Sequence, residues 1–196
     1  MAKKNVLARV VAVLVMGLLL CASAGVSRAY ALGIGDSFTK SGNTYRVTEY
    51  DPHDNDYEAV LVTYGSSNTT PTVNKVTYKG KTFDVEGIGA GAFNTKQGHK
   101  VTSIKVGRNV DRIGKRAFKG CKKLATLNLR AADVVDLEYE HGAWVVDDLN
   151  IASNALSGAG TKNLKVLCGK SQKAYRTAYK KALVLCGMRT SAKVVR

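Results

Sequence analysis

The sequence predicts a β-rich solenoid, α/β in the broad sense, made of two to three short repeats between a hairpin-based cap and a helical cap. Three observations predict it. One short apolar motif recurs at nearly fixed spacing. Short runs of alternating polarity lie between its copies. A segment of helical periodicity follows the last copy. A period of 20–50 residues is the mark of repeat architectures, in which no single coil buries its apolar face alone.

Residues 1–31 read as a secretory leader. Lys3, Lys4 and Arg9 form a basic start, Val10 to Ala22 is unbroken apolar, and Ala29-Tyr30-Ala31 supplies the small residues at which such leaders are cut. Cleavage after Ala24 and retention as an anchor are the alternatives; the apolar run is at the short end for a span. Leu20, just before Cys21, does not fit lipoprotein processing, where a small residue is wanted. No later segment is long and apolar enough to cross a membrane as a helix.

Residues 32–82 read as a β-rich N-terminal cap. Residues 43–50 and 58–64 look like two strands around a polar turn. Residues 76–85 look like another pair with Lys79-Gly80 at the tip. Asp51, Asp54, Asp56, Glu58 and His53 cluster in the polar turn. Alternating carboxylates suit Ca²⁺, but no Gly stands at the sixth position, and Asp-Pro and Asn-Asp pairs are turn formers. A hairpin turn is therefore the expectation, with no metal.

Residues 83–170 carry the repeats. FDVEGIGAGAF (83–93), RNVDRIGKRAFKGC (108–121) and LNIASNALSG (149–158) align. Ile88, Ile113 and Ile151 share one slot. Phe93, Phe118 and Leu156 share another, preceded by Ala92, Ala117 and Ala155. The first spacing is 25 residues and the second 38, the excess being a 13-residue insertion. Between the motifs, VTSIKV (101–106), LATLNL (124–129) and NLKVLC (163–168) read as strands; the first two alternate cleanly. The Ile is expected to anchor one wall, Gly89 and Gly114 to permit a tight turn after it, and the Phe to stack on the Phe of the next coil. In residues 171–196, Ser171 is a candidate helix cap. Ala174, Tyr175, Ala178, Tyr179, Ala182, Leu183 and Cys186 recur at helical spacing, and Gly187 ends the helix.

Charge is segregated along the chain. Residues 32–94 hold 5 basic and 8 acidic side chains; residues 95–130 hold 11 and 1; residues 131–161 hold none and 6; residues 162–196 hold 10 and none. Two basic blocks flank an acidic one. Such a surface attracts polyanions, unless the lysines serve only solubility. Cys121, Cys168 and Cys186 are odd in number, so at least one is free. All three are expected to act as small buried hydrophobes.

Few features point to catalysis. Gly87-Ile88-Gly89-Ala90-Gly91 imitates a dinucleotide loop, yet the next repeat lacks the first and third glycines and no crossover helix follows, so no cofactor is expected. His53, His99 and His141 lack any nucleophile motif nearby, and no HExxH or paired CxxC occurs. The insertion, residues 131–149, holds Tyr139, His141 and the sole tryptophan, Trp144, among acidic residues. Aromatic anchors on a loop of a rigid scaffold suit binding; the plainer alternative is that Trp144-Val145-Val146 is a strand packed on the edge.

Ile113-Gly114-Lys115-Arg116-Ala117-Phe118-Lys119-Gly120-Cys121, followed by Leu124, Leu127 and Leu129, resembles the BspA-type leucine-rich-repeat family. The resemblance covers roughly residues 40–190. The first repeat lacks Gly-Cys, and the third has Asn154 near the turn and Leu156 instead of Phe. The resemblance implies a secreted or cell-surface, non-catalytic recognition or adhesion module. Its partner would be a protein or glycan of the cell surface or envelope, with no specific nucleic acid. A self-assembling envelope component held by charge is the alternative, and a cryptic wall-degrading enzyme the second.

Overall fold

The computed structural model describes residues 32–196, and the expected leader over residues 1–31 lies outside them. Strands dominate. The first sheet holds β1 (Ser37–Lys40), β2 (Asn43–Asp51), β3 (Asp56–Thr63), β5 (Lys75–Tyr78), β6 (Lys81–Ile88) and β8 (Arg112–Ile113). The second holds β4 (Thr72–Val73), β7 (Ser103–Val106), β9 (Thr126–Asn128), β12 (Lys165–Leu167) and β13 (Lys193–Val195), all parallel. A separate hairpin joins β10 (Val135–Glu140) to β11 (Ala143–Leu149). Among the described residues the single α-helix is α1 (Lys173–Leu185). The chain is thus strand-rich with one helix, but its sheets are mixed. The sheets do not close into a solenoid: β1–β2, β2–β3 and β5–β6 pair antiparallel, whereas β3–β6, β6–β8 and the whole second sheet pair parallel.

Local chemistry explains the hairpins. Residue pairs Ser41-Gly42, Lys79-Gly80 and His141-Gly142 each have positive φ at both positions, and each connects strands paired at the residues flanking the turn. That is the two-residue turn whose twist matches paired strands, and glycine takes the second position at no steric cost. The Asp51–Asp56 turn is closed differently. Asp51 Oδ1 accepts from the backbone N–H of His53 at 2.7 Å and of Asp54 at 3.3 Å, so this carboxylate is used as a turn former, as expected.

The repeat slots stack as columns. Ile88 pairs with Ile113, and Ile113 bridges to Ile151. Phe93 N–H donates to Ala117 O at 2.8 Å, and Phe118 N–H to Ala155 O at 3.2 Å. The Phe93 and Phe118 rings lie 5.5 Å apart. Both columns run further than the repeats. Leu61 pairs with Ile88, and Tyr64 stacks on Phe93 at 4.6 Å while its N–H donates to Ala92 O. At the other end Leu156 N–H donates to Cys186 O at 3.0 Å. In the second sheet Ile104, Leu127 and Val166 align and are fully buried. Leu124 and Leu129 join them in the core. No charged or polar residue is buried among the described residues, so the core is driven by apolar burial alone.

Gly89 and Gly114 act otherwise than expected. Neither has positive φ. A Cβ on Gly114 would lie 2.6 Å from Ala90 N and 2.9 Å from Gly89 C. These glycines let two coil backbones touch; they do not make a turn. The turn falls two residues later, at Gly91 (φ 65°) and Arg116 (φ 55°).

The helix starts at Lys173 after Gln172, and no side chain caps it, so Ser171 is not the cap. Gly187 at φ 89° ends it as expected. Met188 N–H then returns to Leu183 O at 3.0 Å, one of the bonds that close a helix end. The residues after it do not form a loose tail: β13 adds to β12 in parallel, Val194 beside Val166.

Candidate functional site

The insertion folds as the β10–β11 hairpin and leans on α1. Val135 and Leu137 are buried beneath it. Trp144, on β11, is half-buried. Its ring meets Tyr175 of α1 edge-on, centroids 5.1 Å apart and planes at 87°, and Tyr139 lies 5.3 Å away across the hairpin. Tyr175 continues to Tyr179, one helical turn on, at 5.8 Å. Edge-to-face contacts of this kind add to plain area burial. Lys170, between β12 and α1, sets its Nζ 4.4 Å from the Trp144 ring and 5.0 Å from Tyr175. A cation over an indole face is the favourable geometry for that pair.

The three candidate residues therefore have unlike places. Tyr139 is 63% exposed. Trp144 packs on the helix and also walls a cleft. His141 is the first residue of the hairpin turn at φ 48°, an exposed position with a turn-forming role. Trp144-Val145-Val146 does form a strand, with Val145 and Val146 more than a third exposed.

The cleft between hairpin and helix has a volume of about 540 Å³. Gly142 and Trp144 form one wall; Lys173, Ala174, Thr177 and Lys181 form the other. The hairpin side carries Asp136, Glu138, Glu140, Asp147 and Asp148, while α1 has no acidic residue. Among the described residues no ion pair joins hairpin to helix. Lys170, Tyr175 and Tyr179 were absent from the sequence-derived set. The i, i+4 tyrosines were visible as helix-face residues, but nothing local in the sequence brings Trp144 to them.

A second ionisable cluster spans β3, β6 and β8. Arg112 donates through both terminal nitrogens to Glu86, Nη1 to Oε2 at 3.0 Å. A Cβ at Gly87 would strike Arg112 Cγ at 2.9 Å, so this glycine makes room for the arginine to cross. Burial would raise Glu86, but the hydrogen bonds and the charge of the Arg112 guanidinium bring it below the usual range. Glu58 is pushed up to about 7, first by burial and then by the negative charge of Glu86. The two carboxylates repel each other, so their titrations are linked.

The thiols have no catalytic setting. Cys121, Cys168 and Cys186 are free and buried. Burial pushes Cys121 up to about 12 and Cys186 up to about 11, and Cys168 is raised by burial too. Nucleophilic cysteines need the opposite shift. Cys121 Sγ points at Gly98 O, 3.4 Å away, and Cys186 Sγ at Ile151 O, also 3.4 Å.

No helix among the described residues is long and apolar enough to cross a membrane. Comparison with protein-family models gives no match, and neither does comparison with curated proteins. Two solved structures are similar to the chain. One is a leucine-rich repeat protein from Bacteroides capillosus ATCC 29799, with 18% identity, a TM-score of 0.41, and cover of 82% of this chain and 99% of that one. The other is a leucine rich cell surface protein from Faecalibacterium prausnitzii A2-165, with 15% identity, a TM-score of 0.44, and cover of 81% of this chain. The chain spans 42% of the length of that second protein.

Proposed function

We propose that the chain is an exported, non-catalytic leucine-rich-repeat module of BspA type that binds a surface glycan or protein in the hairpin–helix cleft. The observation that carries this reading is the placement of Trp144. The one insertion that breaks the repeat spacing sets the only tryptophan against α1, beside Lys170, and opens a cleft flanked by Lys173 and Lys181. An aromatic wall with two lysines suits a ligand that has an apolar face and an anionic group. Export rests on the leader-like residues 1–31, and the recognition role on the family resemblance.

Glycan-array binding and pull-down on purified cell wall test the reading at low and high salt. Binding that survives high salt and is lost in Trp144→Ala supports it. Binding that salt abolishes and Trp144→Ala leaves unchanged refutes the cleft, since screening removes only exposed charge contacts. A second reading is favoured by the acidic hairpin facing solvent on a chain with two basic blocks: copies assemble through charge. Sedimentation showing oligomers at low salt and monomers at high salt supports it; a monomer throughout refutes it.

A further inference from the structure

We propose that the stacked coils carry a second binding site, distinct from the hairpin–helix cleft, for a phosphate or carboxylate borne on a hydroxylated skeleton such as a polyol or sugar. The site is a cavity of about 500 Å³ on the side where the coils turn. Its lining includes Gly91, Asn94, Lys115, Arg116, Lys119 and Asn154, with three cations and no carboxylate. Among the described residues, the ion pairs are Lys75–Asp84, Arg112–Glu86 and Arg112–Asp111, so none of these three cations is matched by protein charge.

Two further observations separate this cavity from a merely solvated basic face. The first is the backbone. Gly91, Arg116 and Asn154 hold the same slot in successive coils, each just before the Ala of the motif. The slot demands the left-handed region in the first two coils: Gly91 has φ 65° and Arg116 φ 55°. The first coil meets that demand with glycine, which adopts it freely. The second places an arginine there at a cost in stability. The glycine of the preceding coil shows that the fold does not require arginine in this slot, and this side chain lines the cavity.

The second observation is Asn154. Its Oδ1 is out of contact with solvent and has no hydrogen-bond partner. Asn154 lines the cavity, so a turn of its amide brings this unpaired acceptor to a donor bound there. The cations call for an anion, and Arg116 and the lysines can offer charge-assisted hydrogen bonds to its oxygens. A ligand that meets both needs carries a negative group and a nearby hydroxyl. A bare anion meets only the first, and a neutral polyol only the second.

Calorimetric titration of the full chain tests this with four probes: glycerol 3-phosphate, glucuronate, sulfate and glycerol. Saturable binding of glycerol 3-phosphate or glucuronate, at least tenfold tighter than sulfate and glycerol, is expected. The tighter of the two identifies the anionic group. Arg116→Gly should weaken that binding at least tenfold while the protein melts no lower than the parent, because glycine suits the backbone there. Asn154→Leu should erase the preference over sulfate and leave sulfate binding in place. Trp144→Ala should change nothing at this site, which keeps it apart from the cleft. Equal affinity in Arg116→Gly and the parent, or no saturable binding of either hydroxylated anion, overturns the proposal.

Discussion

Gly114→Ala tests how closely the coils touch. The added methyl would sit 2.6 Å from Ala90 N, 2.9 Å from Gly89 C and 3.1 Å from Ala90 Cα, all backbone atoms of the preceding coil. No rotamer change relieves a clash with backbone. Reaching an ordinary 3.4 Å contact requires the coils to part by about 0.8 Å. Two hydrogen bonds cross that gap, Gly114 N–H to Ile88 O at 2.7 Å and Gly91 N–H to Lys115 O at 2.9 Å. Stretched by that much, both are lost, at about 1 kcal/mol each. Overpacking adds about 1–3 kcal/mol, and the stiffer unfolded chain returns about 0.4–1 kcal/mol. The net loss is about 2–5 kcal/mol, a large part of a stability of about 5–15 kcal/mol.

Urea unfolding and thermal melting read this directly. At this size, about 2–4 °C is lost per kcal/mol. Gly142→Ala is the control: Gly142 has φ +86° and nothing within 4 Å of its added Cβ. It should cost only the left-handed strain, about 1–2 kcal/mol, and mainly within the hairpin. A Gly114→Ala protein within about 0.5 kcal/mol of the parent, a change typical of a surface substitution, refutes backbone contact between the coils.

Phe118→Ala removes a fully buried ring of the stacked column and should cost about 3–5 kcal/mol in urea unfolding. Glu58 has a folded pKa near 7, above the ordinary 4.5. Its protonation therefore stabilises the folded state fully below pH about 4.5, and that gain is lost as pH rises through about 7. Because the group keeps much of its solvent contact, the term is discounted to about 1 kcal/mol. Glu58→Gln should flatten the stability profile between about pH 5 and 8 and raise stability at pH 8; an unchanged slope refutes the raised pKa of Glu58. Cys121, Cys168 and Cys186 should resist alkylation at pH 8 in the native protein and react once it is unfolded, as mass spectrometry would show; prompt native labelling of Cys121 contradicts its burial.

The middle of the columns was legible because the sequence repeats there. Ile88, Ile113 and Ile151 announce a shared slot by recurring with the same neighbours, and they do pair. The ends were not. Tyr64 and Cys186 complete the aromatic column, yet neither sits in a copy of the motif, since a terminal coil need match its neighbour on one side only. β13 was hidden for a related reason. Three residues have too little pattern to read as a strand, and they form one because β12 leaves an open edge beside them. Gly114 shows a subtler limit. Glycine serves both positive φ and close approach, and the sequence does not separate the two. Only the coil above it, at 2.6 Å, decides. The sites divide along the same line. Trp144 stood out by rarity, but Tyr175 is 31 residues away and meets it only through tertiary packing. Arg116 was not legible either: it takes a slot that Gly91 fills with glycine one coil earlier, but only the structure shows that the slot holds φ 55°.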